Sequence, residues 1–148
     1  MFNRHLAPIS DETWKEIEER LMEVFKNYLS ARKVVKVEGP KGLDYNAISE
    51  GRLGEVQEDG DLCYGNYKIV PLTEVRVEFE LDKWELDNVL RGAKDVDYEP
   101  LEEAAKKIAL FEENVIYNGS DKLNIKGLIK SSEHEVLDFG NDQESILD

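Results

Sequence analysis

The sequence predicts a mixed α+β protein, and three observations carry that expectation. Residues 73–92, TEVRVEFELDKWELDNVLRG, pass from an alternating pattern to a helical one with no loop between. Residues 10–29 and 100–118 repeat apolar side chains at spacings of three and four, as helices with one buried stripe do. Residues 41–71 are punctuated by glycine, lack helical periodicity and read as β-structure. At 148 residues the chain is long enough for one domain with a sizeable core and short for two.

In chain order, Ser10 is a good N-cap, and Asp11 and Glu12 complement the positive end of the helix dipole behind it. Trp14, Ile17, Leu21, Val24, Phe25, Tyr28 and Leu29 then form the apolar stripe. Burying each is worth roughly 1.5–3 kcal/mol, so the stripe packs against something, either the core or in part a partner segment in a groove. Val34, Val35 and Val37 predict a short strand, ended by Gly39 and Pro40 because proline cannot donate to a ladder. Six glycines (Gly39, Gly42, Gly51, Gly54, Gly60 and Gly65) mark the stretch that follows and its entry. A structureless loop that long is unusual in a compact domain, so an extended β-hairpin is expected, with Glu58, Asp59, Gly60 and Asp61 at its tip. Such an excursion cannot bury itself. Pairing with another subunit is expected of it, which makes the chain an assembly component.

Val75, Val77, Phe79 and Leu81 alternate with Arg76, Glu78 and Glu80, the pattern of a half-buried antiparallel strand. Asp82 offers an N-cap, Glu85 three residues later would complete a capping box, and Gly92 closes the short helix. Pro100 suits the first turn of a long helix, with Glu99, Glu102 and Glu103 near its positive end. Leu101, Ala104, Ala105, Ile108, Leu110, Phe111, Val115 and Ile116 form its broad apolar face, and Gly119 its stop. Ile125, Leu128 and Ile129 around Gly127 predict a short apolar turn or strand, and Val136, Leu137 and Phe139 another. Asn141 or Asp142 would cap a last helix of one or two turns, too short to offset its nucleation cost. That end is expected to fray or to belong to a larger fold.

Thirty-three acidic residues against nineteen basic ones give a formal net charge of −14, which repels phosphate backbones and anionic membranes. Nucleic acid and membrane are therefore not expected partners. Cys63 is the only cysteine, so no intrachain disulfide framework exists, and no apolar run approaches a membrane span. A soluble cytoplasmic protein is expected. His5 and His134 belong to no metal-ligand pattern, and no P-loop, G-x-S-x-G or G-x-G-x-x-G is present. His134 between Glu133 and Glu135 could bind a metal but reads as surface, and Cys63 has no nearby base. The pairs Glu102–Glu103 and Glu112–Glu113 read as solvated charge on an acidic helix. No catalytic or metal residue is assigned, and the chain is not expected to be an enzyme. Trp84 is left with two readings, a core anchor or a stacking platform for a flat ligand.

The blocks LAPISDETW (residues 6–14), ARKVVKVEGP (31–40), VPLTEVRVEFELDKWELDNVLRG (70–92), LEEAAKKIALFEENVIYNG (101–119) and IKGL (125–128) resemble, in register, the encapsulins, shell proteins of bacterial and archaeal nanocompartments. The resemblance implies an α+β fold similar to the tailed-phage major capsid protein. It would comprise an N-terminal arm and interior helix (residues 1–40), an extended loop (41–72) and the first part of a peripheral domain (73–148) with a spine helix at 100–118. It also implies an icosahedral homo-oligomer that encloses a cargo enzyme, a ferritin-like iron-storage protein or a dye-decolourising peroxidase, recruited through a C-terminal targeting peptide. Phe25, Leu29 and Arg32 then become candidates for cargo-peptide binding, and Trp84 for stacking a flavin such as FMN. Encapsulin subunits continue well past this length into an axial domain. The fold is therefore expected to be incomplete here, with a C-terminal half supplied as a second chain. Alternatives are a phage or prophage capsid fragment, which the acidic composition disfavours, and a flavin-binding module centred on Trp84.

Overall fold

The computed structural model describes residues 6–133. His5, His134, Val136, Leu137, Phe139 and the expected terminal helix lie outside the described residues.

Helix α1 (Asp11–Tyr28) begins at Ser10, whose Oγ accepts from Thr13 N at 3.1 Å, and ends where Leu29 N donates to Phe25 O. Its stripe faces helix α4 (Glu99–Asn118), which opens on Pro100 and stops at Gly119. Along α4 the buried positions are Leu101, Ala104, Ala105, Ala109 and Val115, one face at spacings of three and four. Three alanines on that face let the two helices approach closely. Leu110 and Phe111, expected on the same face, are exposed instead, because they follow the fully buried Ala109 around the helix onto its far side.

The main core sits where α1 meets the loop leading into α4: Ile17, Leu86, Val96, Tyr98 and Leu101, flanked by Ile9, Trp14, Leu21, Leu81, Val89 and Ala93. Helices α2 (Lys83–Leu86) and α3 (Asn88–Arg91) are single turns, the second closed by Gly92 at φ 89°. Asp82 caps α2 as expected, accepting from Trp84 N at 2.8 Å. Glu85 does not close a capping box. Its two oxygens accept from Asn88 Nδ2 at 3.0 Å and Asp97 N at 3.2 Å, pinning the entry to α4 instead.

Between the helices lies a long ribbon. Strands β1 (Ala47–Leu53) and β4 (Tyr67–Pro71) pair antiparallel, with Ala47 opposite Pro71 and Leu53 opposite Tyr67 across an irregularity. Strands β2 (Gln57–Asp59) and β3 (Leu62–Tyr64) form the tip, joined by Gly60 and Asp61. Gly60 has φ 60°, the backbone conformation a two-residue hairpin turn requires. The expected hairpin and its tip are thus observed.

Two expected strands are not. At residues 34–37 the chain closes a 3-10 turn (Ala31–Lys33), with Val34 N and Val35 N both donating to Ala31 O, and no strand follows. Residues 73–81 carry no regular structure either. Their alternating pattern meets no neighbouring strand among the described residues, and a strand exists only with a partner. After α4, β5 (Gly119–Ser120) pairs with β6 (Ile125–Lys126), and α5 (Leu128–Ser131) follows. Gly127 crosses Gly119 so closely that a Cβ on Gly127 would lie 2.2 Å from Gly119 N. The expected apolar turn around Gly127 is therefore a tight backbone crossing.

Candidate functional site

The candidate cargo-peptide residues sit where α1 ends against α4. Leu29 is buried, Phe25 half-buried, and Arg32 reaches across to the spine helix. Arg32 donates from Nε at 2.6 Å and Nη2 at 2.8 Å to the two carboxylate oxygens of Glu112. Beside it, Ala31 N donates to Glu113 Oε1 at 2.8 Å, and Ser30 Oγ donates to the other oxygen of Glu113. The Ser30 hydroxyl, then the Ala31 amide, hold the Glu113 carboxyl below the usual carboxylate range. The Glu112 bond likewise holds the Arg32 guanidinium above its ordinary value.

Glu112 and Glu113 are therefore a latch for the turn after α1, not solvated surface charge. Sequence reasoning missed them because their partners lie about eighty positions away, at Arg32, Ala31 and Ser30. The available signal was two adjacent acids facing a run of Ser30, Ala31 and Arg32, but only tertiary contact brings the two together. Of the three candidates, Leu29 is already spent on the core and Arg32 on an ion pair. Phe25 keeps part of its ring in solvent.

Trp84 lies elsewhere. Thr13 Oγ1, at the start of α1, donates to Leu86 O at 3.4 Å, so α2 belongs to the opposite end of α1 from Arg32. An eighteen-residue helix spans about 27 Å, and that separates the two candidate sites. Trp84 is 76% exposed, which sets aside the core-anchor reading and leaves an indole with a free face. Arg91 Nη1 donates to its carbonyl at 3.4 Å, tying α3 back to it.

Tyr98 is buried in the main core and carries a polar hydroxyl there. Its hydroxyl donates to Glu16 Oε2 at 2.9 Å, and burial, then that carboxylate, push its pKa well above the ordinary phenol value. That bond joins α1 to the start of α4. Among the described residues, no group of His, Cys, Asp or Glu is arranged to hold a metal ion, and no helix is long and apolar enough to cross a membrane.

Among the described residues, the uncovered large apolar side chains include Leu53, Val56, Leu62, Tyr64 and Tyr67 along the ribbon, Val75 and Phe79, and Leu110 and Phe111 on the far side of α4. A groove of about 340 Å³, lined by Thr73, Val75, Ile108, Phe111, Val115 and Ile125, runs between the last two groups. Exposed apolar side chains grouped in this way are typical of surfaces for association, as in structural assembly components.

Comparison with known proteins gives that class its family. The family described as encapsulating protein for peroxidase matches residues 1–148, and the chain belongs to this encapsulin family. It is 37% identical to the type 1 encapsulin shell protein of Mycobacterium tuberculosis over 146 residues, 98% of this chain and 55% of that protein. It is 39% identical to the one from Rhodococcus erythropolis over 137 residues, 91% of this chain and 52% of that protein. For Rhodospirillum rubrum the figures are 36% over 147 residues, 94% and 52%. The chain thus spans about half the length of the relatives it matches. Membership implies the tailed-phage capsid type of fold, and the described residues are mixed α+β with three two-stranded sheets. Encapsulin shell proteins are structural proteins, not enzymes.

Proposed function

We propose that this chain forms the N-terminal part of an encapsulin shell subunit, which assembles in many copies into a closed intracellular compartment around a cargo enzyme. The observation that carries this reading is the join between family and surface. A chain matched over its whole length to shell proteins leaves apolar side chains uncovered on its ribbon and on one side of its spine helix. In this reading the β1–β4 ribbon lies across neighbouring subunits, which supply the contacts that Tyr64 and Tyr67 lack here. The remaining part of a shell subunit covers the far side of α4. Cargo is a peroxidase or a ferritin-like iron-storage protein, held through a targeting peptide.

The targeting peptide docks beside Phe25, whose half-exposed ring borders the latched turn. Leu29 supports that ring from within, and Arg32 offers the peptide whatever hydrogen-bonding capacity Glu112 leaves it. Trp84 offers its open indole face to a flavin such as FMN, at a separate place on the shell. The test is expression of the shell subunit that contains this chain together with a cargo carrying a targeting peptide, followed by native mass spectrometry. Closed particles containing shell subunits and cargo are expected. Small species without enclosed cargo would overturn the reading.

A further inference from the structure

Asn118 and Gly119, where α4 ends, are the one Asn–Gly pair in the chain. An asparagine before glycine is especially prone to lose its side-chain amide, because glycine has no side chain to shield the backbone nitrogen that attacks it. The fold closes in on this bond. Of the three atoms nearest to a Cβ built on Gly127, two belong to it: Gly119 N at 2.2 Å and Asn118 C at 2.3 Å. The buried Gly127 therefore lies directly against the Asn118–Gly119 peptide plane. Gly119 N donates to Val115 O, and the β5–β6 pairing sets Gly119 opposite Lys126. One turn back along α4, Asn114 Oδ1 accepts from Asn118 Nδ2 at 2.7 Å, so the side-chain amide is held as well. Asn118 is nevertheless exposed, and water and hydroxide reach it.

We propose that Asn118 is a modification site, deamidated by water through a succinimide, and that the crossing of Gly119 with Gly127 gates the reaction. Gly119 N, after losing its proton to hydroxide, bonds to Asn118 Cγ. The Cγ–Nδ2 bond breaks, and Nδ2 takes up a proton and leaves as ammonia. Water then opens the ring at either of its carbonyls, giving aspartate or isoaspartate, with no change of oxidation state. Ring closure needs Cβ of Asn118 and N of Gly119 nearly eclipsed about the Cα–C bond. Asn118 is the last residue of α4, and a helical ψ of about −42° holds the two well out of line. Turning the peptide plane into position breaks the bond to Val115 O and moves the plane off Gly127, so only the locally open chain reacts. The product does not reclose as before. Either product places a carboxylate at the negative end of the α4 dipole, and isoaspartate also lengthens the backbone by one carbon beside a contact with no room to spare. The site is independent of the shell reading, because every contact in it comes from this chain.

The test incubates the full chain at mildly alkaline pH, folded and unfolded in denaturant, and follows deamidation at Asn118 by mass spectrometry of its peptides. The folded chain is expected to react at least about tenfold more slowly than the unfolded one, since only its open fraction reacts. Gly127→Ala, which forces the crossing apart, is expected to bring the native rate close to the unfolded one. Gly51→Ala, with nothing within 4 Å of the added carbon, is expected to leave it at the parent value. Hydrogen exchange of the Gly119 amide keeps the test decisive even where Gly127→Ala unfolds the whole chain. In the parent, the slowing of deamidation is expected to match the protection of that amide to within about threefold, because one opening exposes both. Equal rates in the folded and unfolded parent, or a slowing that does not follow Gly119 protection, would overturn the gate. No deamidation at Asn118 in the unfolded chain would overturn the site itself.

Discussion

Arg32 grips Glu112 through two parallel hydrogen bonds of 2.6 and 2.8 Å, which fasten the turn after α1 to the last third of α4. Glu113, next in sequence, holds Ala31 N and Ser30 Oγ of the same turn. The pair are partly open to water, so Arg32 with Glu112 contributes no more than about 1 kcal/mol. Removing Glu113 is more damaging, because it leaves the amide of the buried Ala31 without its acceptor. Glu113→Ala is expected to lower the midpoint of chemical denaturation, and Arg32→Lys to cost less than about 1 kcal/mol.

Acid dependence follows from the same latch. The Glu113 carboxyl is held below its unfolded value, first by the Ser30 hydroxyl and then by the Ala31 amide. Its contribution is fully present above the unfolded carboxylate pKa of about 4.3 and is lost as pH falls through the lower folded value. Glu113→Gln is expected to be less stable than the parent near neutrality and to flatten the acid limb of the stability profile. An unchanged acid limb would show that the latch does not titrate.

Tyr98 works at the other extreme of pH. Burial, then Glu16, raise its pKa, so its contribution is present below the unfolded phenol value of about 10 and is lost as pH rises towards the folded one. Alkaline titration followed by tyrosine absorbance should show one phenol that ionises only as the chain unfolds, and Tyr98→Phe should abolish that late phase.

The spine helix has two unequal faces, and substitution should separate them. Leu101 is 1% exposed and Leu110 47%. Leu101→Ala is expected to cost about 2–5 kcal/mol, whereas Leu110→Ala should change the isolated chain by less than 1 kcal/mol. In the assembled particle Leu110→Ala should become destabilising, since that face is proposed to be covered there.

Gly127 tolerates no side chain. A Cβ would meet Gly119 N at 2.2 Å and the carbonyl oxygen of Tyr117 at 2.6 Å, both backbone atoms that cannot swing aside. Gly127→Ala is expected to cost about 1–3 kcal/mol and to loosen the β5–β6 pairing, read as faster amide exchange at residues 119–126. Gly51→Ala is the control. Its φ of 69° is mildly strained for alanine, but nothing lies within 4 Å, so its effect should stay near 1 kcal/mol.

What the sequence made legible was local. Ser10 caps α1, Pro100 and Gly119 bound α4, and Gly60 turns the hairpin tip, each through an interaction within a few residues. What it hid depends on distant or absent partners. Val34, Val35 and Val37 have strand propensity, but the 3-10 closure on Ala31 takes the first two, and no strand among the described residues pairs with them. Residues 73–81 alternate correctly yet stay unpaired among the described residues, because pairing is a property of two segments and alternation describes only one. At the candidate site, the position of Phe25 and Leu29 on the inner stripe was readable from spacing alone. The engagement of Arg32 by Glu112 was not, nor was the exposure of Trp84, since helical spacing does not say which faces find a neighbour.

The most direct measurement is negative-stain electron microscopy of the shell subunit that contains this chain. Closed, uniform shells are expected. Small soluble species and no shells, with the subunit present in quantity, would contradict its role as part of an encapsulin shell subunit.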